Sequence, residues 1–200
     1  MSLSAPAGCT WTEATERLDA FLVRTLSARR YGHSRAVAEL SAHLAVRFGC
    51  DEAAAYFTGL GHDAAREMPK PGLLAEVTRG AVEVSPYELE HPVLLHAPVC
   101  ALLLGKMFPG IPAEIPEAVR RHTLGSPDLS LLGKILFVAD YCEPGRKYID
   151  DAFREAVFCL PLDGMLVYIV ENERARGHEP SPLTRSMTER LKSNLFKETR

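Results

Sequence analysis

The sequence contains no Cys-x-x-Cys pair. Its five cysteines, Cys9, Cys50, Cys100, Cys142 and Cys159, are scattered and odd in number. That pattern argues against a disulfide framework and against a zinc ribbon. No apolar run approaches the roughly 20 residues a membrane-spanning helix needs. Residues Met1 to Thr10 have neither a basic segment nor a long apolar one, so a secretory signal is not expected. Excess positive charge is missing too: the formal net charge is -3. A general nucleic-acid or membrane-surface binder is therefore not expected, and any polyanion must meet a local cluster of cations. Together these absences favour a cytoplasmic protein.

Clear strand alternation is also hard to find, whereas apolar residues recur at helical spacing almost throughout. The 200 residues are 46% hydrophobic and 24% charged, an ordinary globular composition. A chain of this size buries roughly 70% of its unfolded surface, ample for a real core. The periodicity predicts helices over 12–26, 34–48 (ended by Gly49) and 52–60, the last with Asp51 as N-cap. A looser stretch from Met68 to Pro92 carries the breakers Pro69, Pro71, Gly72, Gly80, Pro86 and Pro92. Helices resume over 99–108, 113–121, 129–141, 149–158 and 164–175, and a last one follows Ser181 and Pro182. The expectation is one all-α helical bundle over residues 1–200. Its core motifs span about 30–146, and C-terminal helices over about 149–195 pack on them.

Four histidines and two aspartates fall where those helices turn inward. His33 heads a stripe of Val37, Leu40, Leu44 and Phe48, while His43 falls on a flank and is read as surface. His62 continues Ala55, Thr58 and Gly59, a small-residue face that lets a neighbouring helix come close. His96 precedes Val99, Cys100, Leu103 and Met107. His122 ends a stripe of Ile115, Ala118 and Val119, and Asp140 follows Leu136 and Phe137. Taken singly, a histidine on an apolar face is more often a hydrogen-bonded core residue, and a buried aspartate more often a cap or ion-pair partner. An unpaired buried carboxylate costs several kcal/mol, so Asp63 and Asp140 both need cationic company. A metal centre in the helical core accounts for all six together. Imidazole and carboxylate without thiolate suit iron, manganese, cobalt or zinc. In the adjacent pair His62-Asp63 the carboxylate can bridge two ions while the imidazole binds one of them, an arrangement suited to phosphoryl displacement.

The ordered series carries a resemblance. It runs Arg30-Tyr31-Gly32-His33, Gly59-Leu60-Gly61-His62-Asp63-Ala64-Ala65-Arg66, Leu94-Leu95-His96, Arg121-His122-Thr123-Leu124-Gly125 and Ala139-Asp140-Tyr141-Cys142-Glu143-Pro144-Gly145-Arg146. With the segment from Gly177 to Thr184, it resembles the bacterial YqeK-type branch of the HD superfamily, the symmetrical diadenosine tetraphosphate hydrolases, over about residues 15–195. The resemblance implies an all-helical HD fold, often dimeric, with a di-iron centre that cleaves diadenosine tetraphosphate to two ADP. By position, His33, His62, Asp63 and Asp140 would hold one metal, and Asp63 would bridge to a second on His96 and His122. Two departures stand out. Arg66 replaces the family's usual lysine, and a guanidinium fork binds phosphate oxygens differently from an ammonium. Gly61 replaces a bulky aliphatic residue, which would loosen local packing.

Asp63, Arg66 and Arg146 are the candidate catalytic residues, and Arg66, Lys70, Thr123 and Arg146 the candidate substrate contacts. Solvated charge is the plainer account of Arg66 and Lys70, and a helix-terminal cap an equal account of Thr123. Two other functions fit the same residues. One is an HD phosphohydrolase acting on a deoxynucleotide or cyclic dinucleotide, since nothing in the sequence reads a base. The other is a regulatory HD-derived domain without metals, which usually lacks several ligands, whereas all six are kept here.

Overall fold

The fold is that of a computed structural model describing residues 3–80 and 82–198. Among these residues every regular element is helical: α1 (Trp11–Thr25), α2 (Ala28–Phe48), α3 (Glu52–Gly61), α4 (Lys70–Arg79), α5 (Pro86–Glu90), α6 (His96–Met107), α7 (Glu114–Arg121), α8 (Leu131–Cys142), α9 (Asp151–Phe158), α10 (Leu162–Ala175) and α11 (Pro182–Glu198). A 3₁₀ turn, Pro92–Leu95, leads into α6.

Local signals set most boundaries. The Thr10–Glu13 capping box starts α1, Ser27 Oγ accepts from Arg30 N to start α2, and Asp51 accepts from Ala54 N to start α3. Gly49, in the left-handed region at φ 71°, ends α2. Because Ser27 is the cap, α2 begins earlier than the predicted residue 34, and His33 lies in its second turn. The buried stripe of α2 is also rotated from the predicted one: Ser34, Val37, Ala38, Ser41, Leu44 and Ala45 are buried, while Leu40 and Phe48 lie at its edges. The loose stretch is structured after all. Pro71 falls in the first turn of α4, where its missing N–H leaves no bond unmade, and Leu73 and Val77 bury that helix. Ser85 and Glu88 form a second capping box around α5.

α2 packs most extensively on α3, and α8 lies against α2, α3, α7 and α10, with α11 laid on α10. The α2–α3 approach depends on Gly59, where a Cβ would stand 2.8 Å from Ala38 Cα. One cluster of buried apolar side chains runs from Ala14 in α1 to Leu191 in α11. Gly61 loosens nothing, because Leu104 and Leu18 methyls occupy the space a side chain would take.

Candidate metal centre

All six expected residues converge. His33 comes from α2, His62 and Asp63 from the end of α3, His96 from the first residue of α6, His122 from just past α7, and Asp140 from the last turn of α8. His62, Asp63, His96 and His122 are buried, at 3% exposure or less. His43 is exposed.

Hydrogen bonds orient the four rings alike. The Nδ1 of His62 donates to Gly59 O, that of His96 to Val93 O and that of His122 to Val119 O, each at 2.6 Å. A carbonyl can only accept, so each Nδ1 carries the proton and each Nε2 is turned to the centre. His33 reaches the same state differently, with Nδ1 3.0 Å from Glu143 Oε1. The Nε2 atoms then meet in pairs, His33 with His62 at 3.3 Å and His96 with His122 at 3.2 Å.

Asp63 lies between the pairs and gives one oxygen to each. Its Oδ2 is 3.7 Å from His33 Nε2 and 3.6 Å from His62 Nε2, and its Oδ1 is 3.2 Å from His96 Nε2 and 3.9 Å from His122 Nε2. Asp140 Oδ1 joins the first pair, 3.1 Å from His33 and 3.6 Å from His62. Electron pairs thus outnumber protons, and the titration of the groups reflects it. Burial opposes a charge on His62, but the Asp63 and Asp140 carboxylates outweigh it and raise its pKa. Burial also opposes ionisation of Asp63, yet the neighbouring His62 and His96 imidazoles hold its carboxyl far below the ordinary range. Burial and the neighbouring His62 and His96 push His122 down to about 3. A cation bound by these donors would balance this excess, and three sets of these residues could hold one: His33, His62 and Asp63; His62, His122 and Asp140; and Asp63, His96 and His122. The donors are nitrogen and carboxylate oxygen, a set that suits first-row transition ions better than hard ions such as Mg²⁺. Cys100 stays outside the set, since its sulfur accepts from Ala65 N and burial pushes its thiol pKa up.

Two neighbours of the centre are not among the expected site residues. Arg30 Nη1 donates to Asp63 Oδ2 at 2.7 Å, supplying the cation a buried carboxylate needs. Glu143 is buried, with Oε1 on His33 and Oε2 accepting from Gly145 N, and these hydrogen bonds hold it below its usual range against the effect of burial. Both lie in the quoted motifs, one as the residue three before His33 and the other three after Asp140.

A cavity of about 600 Å³ opens beside His33, walled by the start of α2 and the turn after α8. Of the four expected substrate contacts, Arg146 lines it, and its guanidinium also pairs with Asp140. Arg66 is half-buried with its backbone N bonded to Asp63 O, Lys70 is exposed at the head of α4, and Thr123 is half-buried beyond α7; none of these three lines the cavity.

An all-helical scaffold around a buried histidine–aspartate cluster defines a class of protein built on a metal-capable centre. The HD domain family matches residues 30–145, and the chain belongs to that family. It is 36% identical over 124 residues to the symmetrical bis(5'-nucleosyl)-tetraphosphatase of Bacillus subtilis, covering 62% of this chain and 66% of that one. It is 35% identical over 124 residues to the enzyme of the same name from Halalkalibacterium halodurans, covering 62% of this chain and 65% of that one. The chain thus spans just under two thirds of the length of these curated relatives. Among solved structures it resembles a predicted HD superfamily hydrolase involved in NAD metabolism from Clostridium acetobutylicum. That likeness has a TM-score of 0.81 and 28% identity, and covers 90% of this chain and 97% of that one. Among the described residues no helix is long and apolar enough to cross a membrane.

Proposed function

We propose that the protein hydrolyses diadenosine tetraphosphate at its centre, releasing two ADP, with two metal ions held by the six residues. The observation that carries this reading is Asp63, whose two oxygens face two separate imidazole pairs. His33, His62, Asp63 and Asp140 hold one ion; Asp63, His96 and His122 hold the other. Bound there, the ions supply Lewis acidity on both sides of a phosphoryl displacement and a nucleophile at neutral pH. Iron is the proposed metal, with manganese, cobalt and zinc compatible with the same donors.

The residues themselves position and neutralise. The Nδ1 hydrogen bonds lock each ring so that its Nε2 faces the centre. Arg30 and Arg146 place guanidinium charge at the cavity wall, where the polyphosphate lies. The names of the curated relatives support this substrate over a deoxynucleotide or cyclic dinucleotide. The reading also includes a cytoplasmic homodimer: five unpaired cysteines suit a reducing compartment, and the dimer rests on the family resemblance.

Ion-exchange separation of early products tests the cut. ADP alone is expected, and equal ATP and AMP would mean asymmetric cleavage and overturn the reading. Asp63→Ala, analysed for metal after purification without chelator, is expected to lose most bound metal and all turnover, because both ions share that ligand. The exposed control His43→Ala should keep both.

A further inference from the structure

The cavity beside His33 carries more positive charge than the centre uses. Arg29 and Arg30 occupy the first turn of α2, where the helix dipole favours acids and disfavours cations, and no acid is present there. Arg30 is accounted for by its bond to Asp63, whereas its Nε is buried without a partner. Arg29 is exposed, and its side chain makes no hydrogen bond or ion pair among the described residues. The carboxylate that feels its charge, Glu67, already accepts from Ser27 N and Oγ. On the opposite wall Arg146 is drawn to Asp140, while Lys147 is exposed and makes no hydrogen bond or ion pair among the described residues. Glu143, the acid lining this cavity, is already engaged, with Oε1 on His33 and 3.8 Å from Arg146 Nε and Oε2 on Gly145 N.

The cations therefore form two layers. Arg30 and Arg146 stand at the inner end, each on a carboxylate of the centre. Arg29 and Lys147 stand at the outer rim of a cavity whose volume, about 600 Å³, suits a nucleotide-sized ligand. Neither outer cation's side chain makes a hydrogen bond or ion pair among the described residues, and one opposes a helix dipole. Two successive layers of cations leading away from a metal-capable centre match two successive phosphates, not a single anion.

We propose that Arg29 and Lys147 extend the phosphate site of this cavity outward, forming an outer subsite that holds the outer phosphate of one nucleoside diphosphate half of the substrate. Naming the ligand as an ADP half rests on the tetraphosphatase reading, but the binding itself requires no turnover. The outer pair acts as a fork opposite a point charge, so it binds phosphate oxygens without fixing one geometry.

Calorimetric titration of ADP into the metal-loaded protein tests this. The double variant R29A/K147A is expected to bind ADP about tenfold more weakly or worse while keeping its metal. The charge-matched control R24A/R190A should bind like wild type, and R29K/K147R should recover most of the affinity. Unchanged ADP affinity in R29A/K147A overturns the subsite, whatever the turnover. An equal loss in R24A/R190A also overturns it, because the effect would then be one of net charge. If the wild type cleaves no diadenosine tetraphosphate yet R29A/K147A alone loses ADP binding, the activity reading fails and the subsite stands.

Discussion

Replacing Glu143 with alanine removes the acceptor that holds His33 in its working tautomer, and its consequences can be worked from the bonds it makes. Oε1 receives the His33 Nδ1 proton at 3.0 Å, and Oε2 receives the Gly145 N–H. Loss of both leaves a largely buried imidazole N–H without a partner, at a cost of about 1–3 kcal/mol. It also frees the ring to rotate or exchange tautomer, turning Nε2 away from Asp63 and Asp140. Outer-shell partners of metal-binding histidines typically contribute about 10- to 100-fold in metal affinity. Glu143→Ala is expected near the upper end of that range, because the turn at Gly145 loses its acceptor as well. Glu143→Gln is expected nearer tenfold: its amide oxygen can still accept from His33, but its NH₂ would then face the Gly145 N–H donor-to-donor. Competition with a chelator measures the affinity, and ¹⁵N chemical shifts of His33 report the tautomer independently of turnover. A Glu143→Ala protein with wild-type metal affinity and an unchanged His33 tautomer refutes the positioning role.

Three further outcomes follow from the same geometry. Arg146→Ala should retain metal but slow polyphosphate turnover about ten- to hundredfold, the effect of one lost charge-assisted contact; unchanged kinetics would reduce Arg146 to a partner of Asp140. Gly59→Ala gains about 1 kcal/mol of helix propensity, but its Cβ meets α2 backbone that cannot move aside, an overpacking cost of about 1–3 kcal/mol. A melting temperature lowered by a few degrees is expected, and a raised one would show that α2 and α3 separate freely. Protons compete with cations for imidazole, and the raised pKa of His62 means its proton binds at higher pH than that of His122, held near 3. Bound metal measured against falling pH should therefore decline in two steps, the His33–His62 side first, and a single step would refute that order.

The helical fold and the convergence of the six residues were legible because both are written at short range. Apolar spacing marks the helices, and each histidine or aspartate lies at the end of one or, for His33, in its second turn. What escaped was set by tertiary contact or by position within a turn. Proline and glycine at 69–72 look like breakers, yet they cost little in the first turn of α4. The stripe of α2 turned toward Ser34, Ala38 and Ser41 because close contact with α3 favours small side chains over the large Leu40 and Phe48. The need of Asp63 for a cation is visible in the sequence, but its answer, Arg30, is 33 residues away. Glu143 bonds His33 across 110 residues, and only its place beside Asp140 in the quoted motif hinted at it.

The contrast between His33 and the other three imidazoles has a single physical origin. His62 follows α3 and His122 follows α7, where the carbonyls of the last helical turn lack the i+4 N–H of a continuing helix, although Val119 O accepts a long 3.4 Å bond from His122 N. Each imidazole lies three residues beyond such a carbonyl and caps it, Gly59 O and Val119 O respectively. His96 uses Val93 O of the 3₁₀ turn in the same way. One local device thus fixes three tautomers through the backbone of the same segment, with no help from distant side chains. His33 lies in the second turn of a 21-residue helix, where the carbonyls behind it belong to the helix ladder. No local acceptor is free for its Nδ1, so the acceptor must come from elsewhere in the fold, and a buried carboxylate is the strongest one available. Three histidines of the centre are therefore oriented as their helices end, whereas the fourth becomes oriented only when α8 and the Glu143 turn dock against α2.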